Sequence, residues 1–150
     1  MAFKFGASSL KRLEGVHPDL VKVAKLALEK SESDFSVLEG VRTLERQKML
    51  VAKKMSQTLD SKHIKQSDGF GHAIDITPFP ISWDIEKFYP LAEAMRKAAK
   101  ELGVRVRWGG CWKTLNDTTL PCKQLVSEYS AERRAQGKKA FIDGPHFELA

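Results

Sequence analysis

The sequence predicts an α+β fold, a small antiparallel sheet flanked by helices. Amphipathic runs with apolar residues three and four apart alternate with short runs of period two. Turn-forming residues, among them Pro18, Gly103, Gly137 and the Gly144–Pro145 pair, punctuate those runs. The chain shows no internal repeat, and no apolar run approaches the roughly 20 residues of a membrane helix.

Taken in order, Pro18 opens an amphipathic stretch from Leu20 to Lys30, with Leu20, Val23, Ala24, Ala27 and Leu28 on one side. DFSVLEGVR, Asp34 to Arg42, reads as a short strand with Phe35, Val37 and Glu39 on one face. Thr43 is placed to cap a helix running to about Met55. GHAIDIT reads as a strand from His72 to Thr77, ending near Pro78. Phe88, Leu91, Met95, Ala98 and Leu102 share one helical face, and Gly103 stops that helix. Val104 to Trp108 alternates as a strand. Leu125, Val126 and Tyr129 predict one more helix ending near Gly137, and PHFEL supplies the last strand. Alternating apolar strands and amphipathic helices give two layers around one core.

A chain of 150 residues, 42% of them hydrophobic, is expected to form a single domain, 1–150, with its own core. The opening MAFKFGASSLKR lacks the apolar core of a secretory leader, so synthesis in a cytoplasm is expected. Cys111 and Cys122 are too few for a disulfide framework and lack CxxC spacing, so both are read as free thiols. The formal net charge of +6 favours an anionic partner. Its lysines and arginines are scattered and not interleaved with aromatics, so no nucleic-acid motif is visible.

Chemistry concentrates in SKHIKQSDGFGHAIDI, Ser61 to Ile76, and in DGPHFEL near the C-terminus. Two imidazoles and one carboxylate make a three-ligand metal site with a position open for water, the arrangement of catalytic zinc. Such an ion lowers the pKa of its water to about 7. A further carboxylate must then take and return a proton. Asp143, joined to His146 through the Gly144–Pro145 turn, is a candidate for that role. Spacing alone leaves open whether His63 or His72, and Asp68 or Asp75, belong to the site. His72 and Asp75 lie three residues apart, so a regular strand points them to opposite faces. His17, just before Pro18, reads as a surface or capping residue.

The ordered blocks EGVRTLERQ, SKH…GHAIDI, RWGG and DGPHFEL resemble the zinc D-Ala-D-Ala peptidase superfamily, which includes lysostaphin-type enzymes and hedgehog. Within it the chain is most similar to bacteriophage endolysins that are L-alanyl-D-glutamate peptidases. The opening FKFGASSLKRLEGVHPDLVKVAKLALEKS shares the likeness, which therefore covers nearly the whole chain. The resemblance implies one catalytic Zn2+ held on the sheet by His63, Asp75 and His146, with Asp143 as catalytic base. It places Arg42 to orient a substrate carboxylate or carbonyl or to stabilise the oxyanion. Gln47 and Ser61 are then candidate substrate-binding residues. Trp108 and Trp112 are candidates either to line the cleft or, beside the Gly-Gly turn, to pack in the core. The implied function is hydrolysis of the peptidoglycan stem peptide during host-cell lysis, between L-alanine and D-glutamate. The protein is expected to act as a monomer without a separate wall-binding domain. It would be made in the host cytoplasm and reach the periplasm by holin-type release, its basic surface meeting the anionic envelope. No nucleic acid and no membrane span are expected.

Two departures stand out. Seven residues, Ile64 to Phe70, separate His63 from the glycine of the G-x-A-x-D block, more than in the compact family pattern. We read an inserted loop, which keeps Ser61-Lys62-His63 intact and leaves Asp68 in a surface loop or at the cleft rim. Cys111 stands where related enzymes often carry aspartate, and the stretch to Ile142 is longer than in compact relatives, a lid, an envelope-contact element or an inert excursion. Two rival readings remain: the same zinc chemistry on a D-Ala-D-Ala bond, or a non-catalytic basic protein binding wall polymer or nucleic acid.

Overall fold

The computed structural model describes residues 2–56 and 60–150. Its helices are α1 (Ala7–Arg12), α2 (Pro18–Lys30), α3 (Leu44–Ala52), α4 (Tyr89–Leu102) and α5 (Cys122–Ala135). Its strands are β1 (Phe35–Glu39), β2 (Ala73–Pro78), β3 (Val106–Trp108), β4 (Lys113–Thr114) and β5 (His146–Leu149). They form one sheet in the order β1-β2-β5-β3-β4, and every neighbouring pair is antiparallel. The α+β expectation therefore holds, with two short elements, α1 and β4, that periodicity did not reveal. Six and two residues are too few for a period to register.

Local chemistry accounts for the helix ends. His17 caps α2, its Nδ1 accepting the Asp19 N–H at 3.1 Å, with Pro18 at the first helical position. Thr43 caps α3 through the Arg46 N–H, 3.1 Å. Gly103 ends α4 in the left-handed region, φ 68°, where a side chain would be strained.

The register sorts the sheet into two faces. Val37 pairs with Ile76, Ile74 with Phe147, and Phe147 with Trp108, so these residues point together into the core. There they join the buried stripes of α2 (Leu20, Val23, Ala24, Ala27, Leu28) and α4 (Leu91, Ala92, Met95, Ala98, Ala99). The opposite face carries Glu39 paired with Asp75, Asp75 with His146, and Glu148 with Arg107. Here the structure corrects one expectation. Glu39 does not share a face with Phe35 and Val37, because the register shifts between Val37 and Glu39. That bulge adds one residue, reverses the alternation and turns Glu39 onto the polar face.

The long segment after Cys111 is folded into the body rather than set apart. Cys122, Leu125 and Val126 of α5 belong to the core, as do Cys111 and Leu115. Trp112 and Phe141 at its two ends stack with centroids 6.0 Å apart, and the Trp112 indole N–H donates to the Phe141 carbonyl at 2.8 Å. Both cysteines are free and buried. Among the described residues no helix is long and apolar enough to cross a membrane.

Close packing under the polar face explains the first glycine of RWGG. A Cβ on Gly109 would lie 2.4 Å from the Asp143 carbonyl oxygen and 3.0 Å from the Cβ atoms of Asp143 and His146. Gly109→Ala is therefore expected to cost about 1–3 kcal/mol of stability through overpacking. Urea unfolding followed by far-UV circular dichroism measures it. A midpoint equal to the parent's would show that this contact relaxes freely.

Candidate metal centre

Each polar side chain on the open face is delivered by a separate constraint. Asp75 sits centrally in β2, between Glu39 of β1 and His146 of β5. His63 comes from outside the sheet, in a turn where the Ser61 hydroxyl accepts the His63 N–H at 3.1 Å. The Arg42 N–H then donates to the His63 carbonyl at 2.8 Å, tying that turn to the segment just after β1. Residues 64–70 close upon themselves. Lys62 and His72 are joined at the loop base by a 2.7 Å backbone bond, and Gln66 binds Phe70 at 2.8 Å.

His63, Asp75 and His146 converge, their potential ligand atoms all within 4.8 Å of one another. The His63 Nε2 lies 3.1 Å from Asp75 Oδ1, and the His146 Nδ1 lies 3.4 Å from the same oxygen. With bonds of roughly 2.0–2.1 Å, a tetrahedral ion has ligand–ligand edges of about 3.3 Å, close to both spacings. The hydrogen bonds around the rings agree. His63 Nδ1 lies 2.8 Å from the Gly40 carbonyl, which only accepts, so Nδ1 holds the hydrogen and Nε2 presents a lone pair. That lone pair faces a carboxylate oxygen, and two acceptors at this distance need a proton or a cation between them. His146 is the mirror case: Nε2 donates to Glu148 Oε1 at 2.7 Å and Nδ1 faces the centre. The donor set thus fits a metal ion, with a carbonyl and a carboxylate fixing the rings from behind.

Electrostatics reinforce the arrangement. Burial alone would raise the Asp75 carboxyl, but hydrogen bonds from His146 and His63 hold it well below the ordinary carboxylate range. Burial opposes charge on His146, yet its bonds to Asp75 and Glu148 prevail and raise it to about 9. Asp143 is pushed up, first by burial and then by the negative charge of Asp75. It stands at the start of a tight turn, its carbonyl accepting the His146 N–H at 3.1 Å. That turn brings Asp143 onto the cleft beside His146, as the Gly144–Pro145 pair suggested.

Arg42 is almost wholly buried and heavily engaged. Its Nε and Nη2 form a fork on Glu39, 2.9 and 3.0 Å, its Nη1 donates to Gln47 Oε1 at 2.7 Å, and Nη2 lies 3.6 Å from Asp75 Oδ2. Three of its five N–H donors are committed, leaving two that can face a ligand.

These groups line a cleft of about 820 Å³. Arg42, Ser61, His63, Asp75, Asp143 and His146 all reach it. Two expected cleft residues do not. Gln47 is fully buried and steadies Arg42. Trp108 is 0% exposed, stacks on Phe147 and donates its indole N–H to the Gly144 carbonyl at 2.8 Å. Period two decides this, since the even positions Val106 and Trp108 face the core. Of the two candidate tryptophans it is Trp112 that lines the cleft, with Tyr129 and Phe141, so the segment after Cys111 supplies one wall. His72 and Asp68 pair with each other at 2.7 Å beside His17, apart from the ligand group and the cleft lining. Sequence reading missed Glu148, although strand alternation from His146 would have found it. It also missed the function of Glu39, which depended on an unseen bulge.

Residues 1–150 match the family model for the phage L-alanyl-D-glutamate peptidase. The chain belongs to that family. It is 40% identical over 156 aligned positions to the L-alanyl-D-glutamate peptidase of Escherichia phage T5, covering 99% of each chain. Among solved structures it is similar to the L-Ala D-Glu endopeptidase ChiX of Serratia marcescens, with TM-score 0.71 and 39% identity, covering 99% of this chain and 90% of that one.

Two outcomes test the centre. His63→Ala is expected to lower metal affinity by more than the roughly 10–100-fold typical of losing an outer-sphere partner, while Asp68→Ala leaves it unchanged. Metal content after dialysis against a zinc buffer reads this, and the reverse pattern would move the ligand to the loop. Second, the His146 ring must shed a proton to bind through Nδ1. Its raised value of about 9 means the proton is held at neutral pH. Zinc affinity should therefore rise about tenfold from pH 7 to pH 8, measured by competition with a chromophoric chelator. A flat profile would exclude His146 as a proton-coupled ligand.

Proposed function

We propose that this protein is a phage endolysin, a zinc peptidase that hydrolyses the L-alanyl-D-glutamate bond of the peptidoglycan stem peptide. One observation carries the reading: the His63–Asp75–His146 group opens on a cleft that also holds Asp143, within a chain whose whole length matches this peptidase family. Residues 1–150 act as one catalytic domain.

Zinc held by the three ligands would lower the pKa of a water to about 7 and polarise the scissile carbonyl. Asp143 removes the proton from the attacking water and delivers it to the leaving amine. Its upward shift suits this, because a carboxyl nearer neutrality both holds and releases a proton readily. The two uncommitted donors of Arg42 face the developing oxyanion or the substrate carbonyl. Gln47 and Glu39 hold that guanidinium in place. Glu148 keeps the His146 ring turned with Nδ1 inward. The net charge of +6 draws the protein to the anionic envelope. We place its synthesis in the host cytoplasm and its action in the periplasm after holin-type release.

Mass spectrometry of purified muropeptides tests the assignment. Zinc-loaded protein should free peptides beginning with D-glutamate, and chelation should stop the reaction. Asp143→Asn should slow it by about 10²–10⁴-fold while retaining metal. Release of terminal D-alanine alone would show that the zinc chemistry serves a different bond.

A further inference from the structure

Among the cleft-lining arginines that the reaction as described does not use, Arg107 alone comes from the ligand-bearing sheet. Arg107 lies in β3 on the sheet face that bears the ligands, directly across from Glu148 and two residues along from the His146 row. Two residues of strand and one strand spacing put its backbone roughly 7 Å along and 5 Å across from His146. A guanidinium on that stem reaches substrate groups one residue from the scissile bond.

Three contacts fix its head. Nε donates to the Trp112 carbonyl at 3.0 Å, the guanidinium carbon lies 5.3 Å from the centroid of the Trp112 ring, and Nη1 stands 3.9 Å from Glu148 Oε2. The last distance is too long for a hydrogen bond. Both terminal Nη groups therefore make no hydrogen bond among the described residues, and the side chain is 44% exposed. This is a planar fork held from behind and from below, with its donor edge open to the cleft.

The support beneath it is itself unusual. Trp112 has φ 58°, in the left-handed region that a bulky residue rarely occupies. Its N–H to the Trp108 carbonyl, 2.7 Å, and its indole N–H to Phe141 hold it there. The consequence is that one residue presents both a carbonyl to Nε and a ring face to the guanidinium. The other arginines of the cleft wall, Arg46 and Arg133, come from α3 and α5 rather than from the ligand-bearing sheet. Arg46 is committed to Glu39 at 3.0 Å and Arg133 to the Lys139 carbonyl at 3.2 Å.

A glutamyl residue joined to its neighbour through one carboxyl keeps the other free, so the residue after the scissile bond is an anion. We propose that Arg107 is the specificity residue that receives this free glutamyl carboxylate, an inference that rests on the peptidase reading above. Trp112 orients the fork, and Glu148, hydrogen-bonded to the His146 ring, stands at ion-pair distance from Arg107 without taking up its terminal donors.

The test uses the zinc-loaded full chain and two synthetic stem peptides that differ in one group. One keeps the unlinked glutamyl carboxyl free, and the other carries it as a carboxamide. The parent should cleave the free acid about 10–100-fold better in kcat/KM. Arg107→Gln should lose that factor on the acid while changing cleavage of the amide by less than about threefold. Arg107→Lys, which keeps charge without the fork, should retain part of the preference. Metal content and thermal unfolding accompany each variant. Equal loss on both peptides would assign Arg107 a structural role and overturn the proposal. A parent that cuts acid and amide equally would overturn it too, whatever the folding of the variants. A parent that cuts neither peptide removes the peptidase reading, and this inference with it.

Discussion

The Asp75 carboxylate is the interaction on which the open face of the sheet depends. Its Oδ1 lies 3.1 and 3.4 Å from two imidazoles, and its Oδ2 lies 3.6 Å from the Arg42 guanidinium. A carboxylate this enclosed is costly unless opposite charge and donors surround it. Each segment that meets it supplies one: the stretch after β1 through Arg42, held by Glu39 of β1, the 61–64 turn through His63, and β5 through His146. The fold brings these segments together from distant positions because β2 is paired on both sides.

Around that hub the charges are arranged in alternating sign. Glu39 neutralises Arg42 and also takes Arg46 at 3.0 Å, while burial that would raise its carboxyl is outweighed by the two arginines. Glu148 stands between His146 and Arg107 in the same way, its carboxyl held down against burial by the imidazole. Such pairs add little stability for their burial, but removing one partner leaves an exposed cost in the other. What they provide here is orientation. Both imidazoles present a defined nitrogen to one point because the opposite nitrogen is already engaged.

Two long connections are tied back to the body beside the centre. The 64–70 loop is closed at its base by backbone bonds. The segment after Cys111 is absorbed differently, by placing Cys122, Leu125 and Val126 in the core and returning through the Trp112–Phe141 stack. It thereby supplies a wall of the cleft. Cys111 is buried with its thiol pushed up by that burial. Ring orientation behind His146 falls to Glu148.

Much of this was legible in one sequence. The apolar stripes of Leu20–Leu28 and Leu91–Ala98 declared their helices, and Ile74–Ile76 and Val106–Trp108 their strands, because burial on one face imposes a period. The ordered blocks around Arg42, His63, Asp75 and His146 carried the family likeness. Tertiary structure decided what periodicity cannot encode. A single bulge between Val37 and Glu39 turned Glu39 from the core to the polar face of the sheet, since one added residue reverses every later side chain. Burial made Trp108 a core residue and left the cleft to Trp112, two tryptophans indistinguishable by type and separated by four positions. The pairing of Arg107 with Glu148 arose only because β3 and β5, distant in the chain, lie side by side. Local sequence determines which face a residue takes within its own strand. Which residues then share a site depends on the register between strands, and that register is fixed by the packing of the whole.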